Sequence, residues 1–138
     1  MIADHRAPAQ PETRQAQLLE QLDEWETCLH EDYRLRRLLP LESDIGALTL
    51  VAAADAAALQ ESSFSRYFHH TVGTRFRDWK TAHKVVRALD LLKNTGQDVE
   101  EVALAVGYQD GRSLRRATRR FIGVSPSDFR EQVASGPS

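Results

Sequence analysis

The chain has very little of what marks several large classes of protein. Of its 138 residues one is cysteine, Cys28, so no internal disulfide can form and a reducing, cytoplasmic setting is expected. No apolar run approaches the roughly 20 residues needed to cross a bilayer, and the N-terminus has no apolar signal core. The apolar–polar alternation that strands leave is almost missing. Ala, Leu, Arg, Glu and Gln dominate instead, which predicts an all-α fold. No Ser/His/Asp set, glycine-rich phosphate loop or paired-carboxylate pattern stands out, so neither catalysis nor a cofactor is expected. His69 and His70 are neighbours, and adjacent helical residues point about 100° apart, a poor chelate. With His83 and Cys28 remote in sequence, no metal site is expected. Basic charge is lacking too: 18 Lys and Arg face 20 Asp and Glu, a net charge of −2. That balance alone argues against a nucleic-acid partner.

The distribution of charge reverses that argument. Residues 1–48 hold 5 basic and 10 acidic side chains, a net of −5, whereas residues 49–138 hold 13 and 10, a net of +3. Positive charge peaks at Arg112, Arg115, Arg116, Arg119 and Arg120, a stretch in which no acid intervenes. The basic part also repeats itself. At a shift of 49, Ala54, Ala58, Gln60 and Glu61 lie over Ala103, Gly107, Gln109 and Asp110. After one inserted residue the shift is 50, and Ser63, Arg66, Gly73, Asp78, Trp79 and Lys80 lie over Ser113, Arg116, Gly123, Asp128, Phe129 and Arg130. Self-similarity at a fixed spacing indicates one structural unit used twice.

Local signals place the elements. Residues 1–13, with Pro8 and Pro11, are expected to be disordered. A helix is predicted over 14–39, with Leu18, Leu22, Trp25 and Leu29 on one stripe and Pro40 as its stop, followed by a linker over 42–47. Thr49 is the expected N-cap of a thin, alanine-rich helix, and Phe64, Tyr67 and Phe68 are the packing side of the next, which Gly73 ends. A long helix over 75–93 would join the copies, with Phe76, Trp79, His83 and Val86 on one face. In the second copy Asp98 and Glu101 form a capping box, Asp110 caps the arginine-bearing helix, Gly123 ends it, and Ser125-Pro126 starts the last helix. The tail, 133–138, is expected to be flexible.

The run "VEEVALAVGYQDGRSLRRATRRFIGVSPSDFR" resembles the C-terminal signature of AraC/XylS-type transcription regulators, and "LTLVAAADAAALQESSFSRYFHHTVGTRFRDW" is similar to the other half of the same domain. The resemblance covers 48–132. It implies two helix-turn-helix units joined by a bridging helix, the second helix of each unit entering the major groove of double-stranded promoter DNA at successive segments. Position by position, it places Ser62, Ser65 and Arg66 of the first unit, and Arg112, Ser113 and Arg116 of the second, against bases. It implies phosphate contacts for His69, His70, Arg115, Arg119 and Arg120. It further implies activation by recruiting RNA polymerase more often than repression, and work in the cytoplasm at the nucleoid. Several residues depart from the family's pattern: Thr118 stands at a core phenylalanine, Ala58 at a turn glycine, Lys84 at an arginine of the bridging helix, and Gly111 has no side chain to read with.

The helical extension, 14–47, leaves two readings open. Its apolar stripe either folds back as extra core or serves self-association or a partner. The second supports an alternative function, a protein-interaction module of regulator ancestry whose acidic N-terminal helix binds a partner or masks the DNA face.

Overall fold

In the computed structural model, residues 11–134 are described, and among them every regular element is helical. Helix α1 spans Pro11–Glu31, and a 3-10 segment spans Leu35–Ala47. Then follow α2 (Leu50–Ala56), α3 (Glu61–Val72), α4 (Phe76–Asn94), α5 (Val99–Ala105), α6 (Gly111–Ile122) and α7 (Pro126–Ala134). Helices α2 and α3 form one helix-turn-helix unit, α5 and α6 the other. Helix α4 joins the units and packs on both.

The caps form as predicted. Thr49 Oγ1 accepts the Ala52 N–H at 3.0 Å. Asp98 and Glu101 exchange hydrogen bonds as a capping box, 2.8 and 2.9 Å. Asp110 accepts the Ser113 N–H at 3.0 Å, and Ser125 Oγ the Asp128 N–H at 3.1 Å. Each satisfies a backbone donor that the first helical turn leaves unpaired. The repeat extends to long-range contacts. Lys80 Nζ donates to the carbonyl of Leu48, just before the first unit. Its counterpart Arg130 donates to the carbonyls of Leu92 and Thr95, 3.0 and 3.2 Å, just before the second.

The units differ inside. Phe64, Phe68, Phe76 and Trp79 form a cluster of tilted and edge-to-face rings 5.3–5.8 Å apart. The repeat sets Leu114, Thr118, Pro126 and Phe129 at the matching places, a smaller filling. Thr118 is wholly buried, and its hydroxyl donates to the Leu114 carbonyl at 2.8 Å. Helix α1 lies along both units: it packs on α3, α4, α6 and α7. Its Leu18, Leu22 and Leu29 are buried, with Trp25 and Cys28 half-buried beside them. The stripe is thus core, and a self-association surface made of it has no exposed leucines to use.

Three boundaries differ from expectation. Helix α1 starts at Pro11, so residues 11–13 are helical, while 1–10 and 135–138 lie outside the described residues. The helix predicted to Leu39 ends at Glu31, because Asp32 Oδ1 takes the N–H groups of Arg34 and Leu35 at 2.9 and 3.0 Å and starts a new turn. Pro40 and 42–47, expected as stop and linker, belong to the 3-10 segment, which kinks at Asp44 and buries Leu35, Leu38 and Ile45. On α4 the buried stripe runs through Ala82, Val85, Leu89 and Leu92, leaving His83 and Val86 at its edge.

Candidate nucleic-acid interface

Helix α3 buries Phe64, Phe68 and Val72. At 3.6 residues per turn Ser62, Arg66, His69 and His70 lie together away from that stripe, with Ser65 at its edge beside Val72. Ser62, Arg66, His69 and His70 are exposed, and Ser65 is half-buried. Helix α6 buries Gly111, Leu114, Ala117, Thr118 and Ile122. Arg112, Arg116 and Arg119 share its exposed side, Ser113 and Arg120 flank it on one edge, and Arg115 on the other. Gly111 turns inward, where its N–H donates to Glu100 Oε1 at 3.1 Å.

No acid lies within α6, but the fold supplies two from elsewhere. Arg115 Nη2 is 3.4 Å from Glu100 Oε2, and Arg120 Nη2 is 2.9 Å from Asp78 Oδ1. Both arginines keep half or more of their side chain in solvent, 50% and 58%. Such exposed pairs contribute at most about 1 kcal/mol, so a phosphate can take the place of either acid. Arg66, Arg112, Arg116 and Arg119 have no ion-pair partner among the described residues.

A feature that sequence reasoning missed joins this face. An open cleft of about 590 Å³ lies between α3 and α4 and shares Ser65, Arg66 and His69 with the α3 face. Its other wall carries Arg75, Arg77, Lys80 and Lys84, and no acid lines it. Burial holds the Lys80 and Lys84 ammoniums below their ordinary range, and for Lys80 the charge of Lys84 adds to this. An anion in the cleft relieves both effects. Lys84 Nζ sits 4.5 Å over the ring of Tyr108, in the turn of the second unit, so the cationic surface continues towards α6. The signal was present: Arg77, Lys80 and Lys84 follow 3, 4 spacing on one side of α4, apart from its apolar residues.

The turns that aim α3 and α6 are built unequally. Gly107 has φ +103° and lies against Gly46: a Cβ on Gly107 would stand 2.6 Å from Gly46 Cα. Ala58 holds the matching place at φ +60°, and Arg34 Nη1 donates to the carbonyls of Ala57 and Ala58 at 3.2 and 3.4 Å.

Away from this face, Glu26 of α1, Glu42 of the 3-10 segment and His83 of α4 come together, which the expectation of no metal-ligating group did not foresee. Burial and the neighbouring Glu26 push the Glu42 carboxyl up to about 8. Burial also pushes Glu26 up, but its polar contacts with His83, Glu42 and Trp79 outweigh this and hold it below its ordinary value.

A family model for a helix-turn-helix domain matches residues 53–132. An AraC-like transcription regulator of Streptomyces lividans is 30% identical over 105 residues, which are 76% of this chain and 31% of that protein. The arabinose operon regulatory protein of Escherichia coli K12 is 27% identical, over 82% of this chain and 40% of its own length. The chain thus spans well under half of these curated relatives. Among solved structures, the DNA-binding domain of AdpA, in complex with a target DNA, superposes with a TM-score of 0.69 at 24% identity, covering 76% of this chain and 96% of that one. An AraC-type regulator from Chromobacterium violaceum gives 0.66 at 21% identity, covering 81% and 96%.

Proposed function

The chain belongs to the AraC-type helix-turn-helix family, and from that membership we propose that it is a sequence-specific DNA-binding transcription regulator. Helices α3 and α6 enter two successive major-groove segments, about one helical turn apart, on one side of the duplex. Ser62, Ser65 and Arg66 meet bases in one segment; Arg112, Ser113 and Arg116 meet them in the other. Arg66 and Arg116 are suited to pair with guanine O6 and N7. His69, His70, Arg115, Arg119 and Arg120 contact phosphates. Arg77 and Lys84 of the cleft join them, over the backbone that crosses between the two grooves. The observation that carries this reading is the acid-free cationic cleft beside α3, continuous with the face that bears Ser65 and Arg66. It makes a strongly anionic partner a better fit than a protein surface of mixed charge.

Binding sites selected from a random DNA pool provide the test. Arg116→Ala is expected to weaken binding to the selected site by about 1–3 kcal/mol and to relax preference at one base pair. Equal weakening on every sequence moves Arg116 to a phosphate. No retardation of any DNA at low salt leaves the interaction-module reading instead. We also read the chain as an activator that recruits RNA polymerase in the cytoplasm, at the nucleoid. Transcription from a promoter carrying the selected site, with and without the chain, decides the sign.

A further inference from the structure

Glu26, Glu42 and His83 come from three separate segments, and one potential ligand atom of each lies within 4.8 Å of the others. The cluster is incomplete as it stands. Glu42 Oε2 and His83 Nε2 are buried, yet neither has a hydrogen-bond partner. His83 Nε2 is 3.4 Å from Glu26 Oε2, without the alignment of a hydrogen bond. Buried polar atoms are rarely left in that condition, because they have lost water and gained nothing. Each of these two can offer a lone pair, Glu42 once its proton is displaced and His83 in the tautomer with Nε2 unprotonated, so an electrophile placed between them would satisfy both.

The surroundings fit a metal ion. Trp79 Nε1 donates to Glu26 Oε2 at 3.1 Å and orients that carboxylate, as an outer-shell partner does. The Trp79 ring stands edge-on to the His83 ring at 4.9 Å and holds its plane. Glu42 and His83 also line an open cleft of about 410 Å³, which gives an ion a way in and room for water as further ligands. Two carboxylates and one imidazole suit a divalent first-row ion such as zinc, cobalt or manganese. Magnesium and calcium prefer oxygen ligands alone.

We propose that Glu26, Glu42 and His83 bind one divalent transition-metal ion, which fastens α1 and the 3-10 segment to the bridging helix α4. The site is separate from the DNA face and independent of the DNA-binding reading. Loading it fixes the helix that spans both units to the helix that joins them.

The test uses the full chain without DNA, stripped with a chelator and then titrated with ZnCl2, CoCl2 and, for comparison, MgCl2. Zinc is expected to raise Tm by several degrees at one equivalent, and magnesium to leave it unchanged. Cobalt should give visible ligand-field absorption that saturates at the same ratio, with a change in tryptophan fluorescence from Trp79. Glu42→Gln and His83→Gln, checked for unchanged helicity by circular dichroism, should each weaken binding at least about tenfold. No saturable response up to about 1 mM metal overturns the proposal, since the orphaned atoms then have another remedy. So does wild-type-like binding by both variants, which puts the ion elsewhere, as on His69 and His70. A third contrary result is a metal-free Glu42→Gln protein more stable than a wild type that ignores zinc. It would assign the cluster to a proton shared between Glu26 and Glu42.

Discussion

Two single residues show how the first unit is kept in shape. Ala58 sits at φ +60°, where its counterpart is Gly107 at φ +103°. An L side chain in the left-handed region costs about 1–2 kcal/mol, so this turn holds strain that the second avoids. Ala58→Gly removes the clash but frees the unfolded chain, and a net gain of about 0.5–1 kcal/mol is expected. A higher urea midpoint at unchanged m-value registers it, and a fall in the midpoint refutes it. Asp32 works on the other side of the same unit. Tyr67 Oη of α3 donates to its Oδ2 at 2.7 Å, while Oδ1 starts the 3-10 segment. Burial pushes the Asp32 carboxyl up, but hydrogen bonds from Tyr67 and from the Leu35 and Arg34 amides outweigh it, so the group lies below its ordinary 3.8. A depressed folded value gives stability that is complete above the unfolded value and lost as pH falls through the folded one. Asp32→Asn should therefore be less stable than wild type at neutral pH and converge on it as the pH drops below about 4, in acid-unfolding curves. Tyr67 is pushed up to about 12, chiefly by its bond to Asp32, so the same contact loosens only in strong alkali.

At the scale of elements, helix α1 connects what the repeat would leave as two small bodies. Below about 80 residues a unit buries little core, and the second unit has Thr118 and Pro126 where the first has Phe68 and Phe76. The apolar stripe of α1 supplies part of what is missing. Leu29 is wholly buried, and Leu29→Ala is expected to cost about 2–5 kcal/mol in a single unfolding transition. Two separate transitions in that variant would mean that the units fold independently of α1. The stripe itself was legible, because spacing alone puts Leu18, Leu22 and Leu29 on one side. So were the caps at Thr49, Asp98, Asp110 and Ser125, since those side chains satisfy amides close to them in the chain. The end of the helix at Glu31 was not: Asp32 breaks the apolar stripe, but its contact with Tyr67, 35 residues away, and those of Arg34 with the Ala57 and Ala58 carbonyls, which help to hold the new turn, are long-range. The group of Glu26, Glu42 and His83 was hidden for the same reason: each residue is ordinary in its own segment, and only packing of α1 and the 3-10 segment on α4 brings them together. The candidate readers on α3 and α6 came from the family resemblance rather than from spacing, and the structure shows only that Ser62, Arg66, Arg112 and Arg116 are exposed. The cations of α4 were not legible, because basic residues at helical spacing are the ordinary solvent side of a helix, and only the fold sets Arg77, Lys80 and Lys84 beside α3.

For the whole molecule, net charge is a poor guide to binding and the placement of charge a good one. The chain is acidic by two, yet half of its 20 acids lie in residues 1–48 against only 5 of its 18 basic side chains, and the cleft between α3 and α4 is lined by no acid. Salt bridges such as Lys93–Glu12, 3.2 Å, hold some of that acidity against the body. If the cleft lies over DNA phosphates, its cations act by releasing counterions. The logarithm of affinity then falls with the logarithm of salt by about 0.9 for each phosphate neutralised. Arg77→Gln and Lys84→Gln make the cleaner probes, because Lys80 also holds the Leu48 carbonyl and its loss would disturb the fold. Each should lower the slope by about 0.9 and weaken all sequences alike, leaving the selected site unchanged. Arg116→Ala should do the reverse, altering preference more than slope. A full wild-type slope in the Arg77→Gln, Lys84→Gln double variant would take the cleft off the DNA. Binding would then rest on α3 and α6 alone, with α4 serving only to set the distance between them.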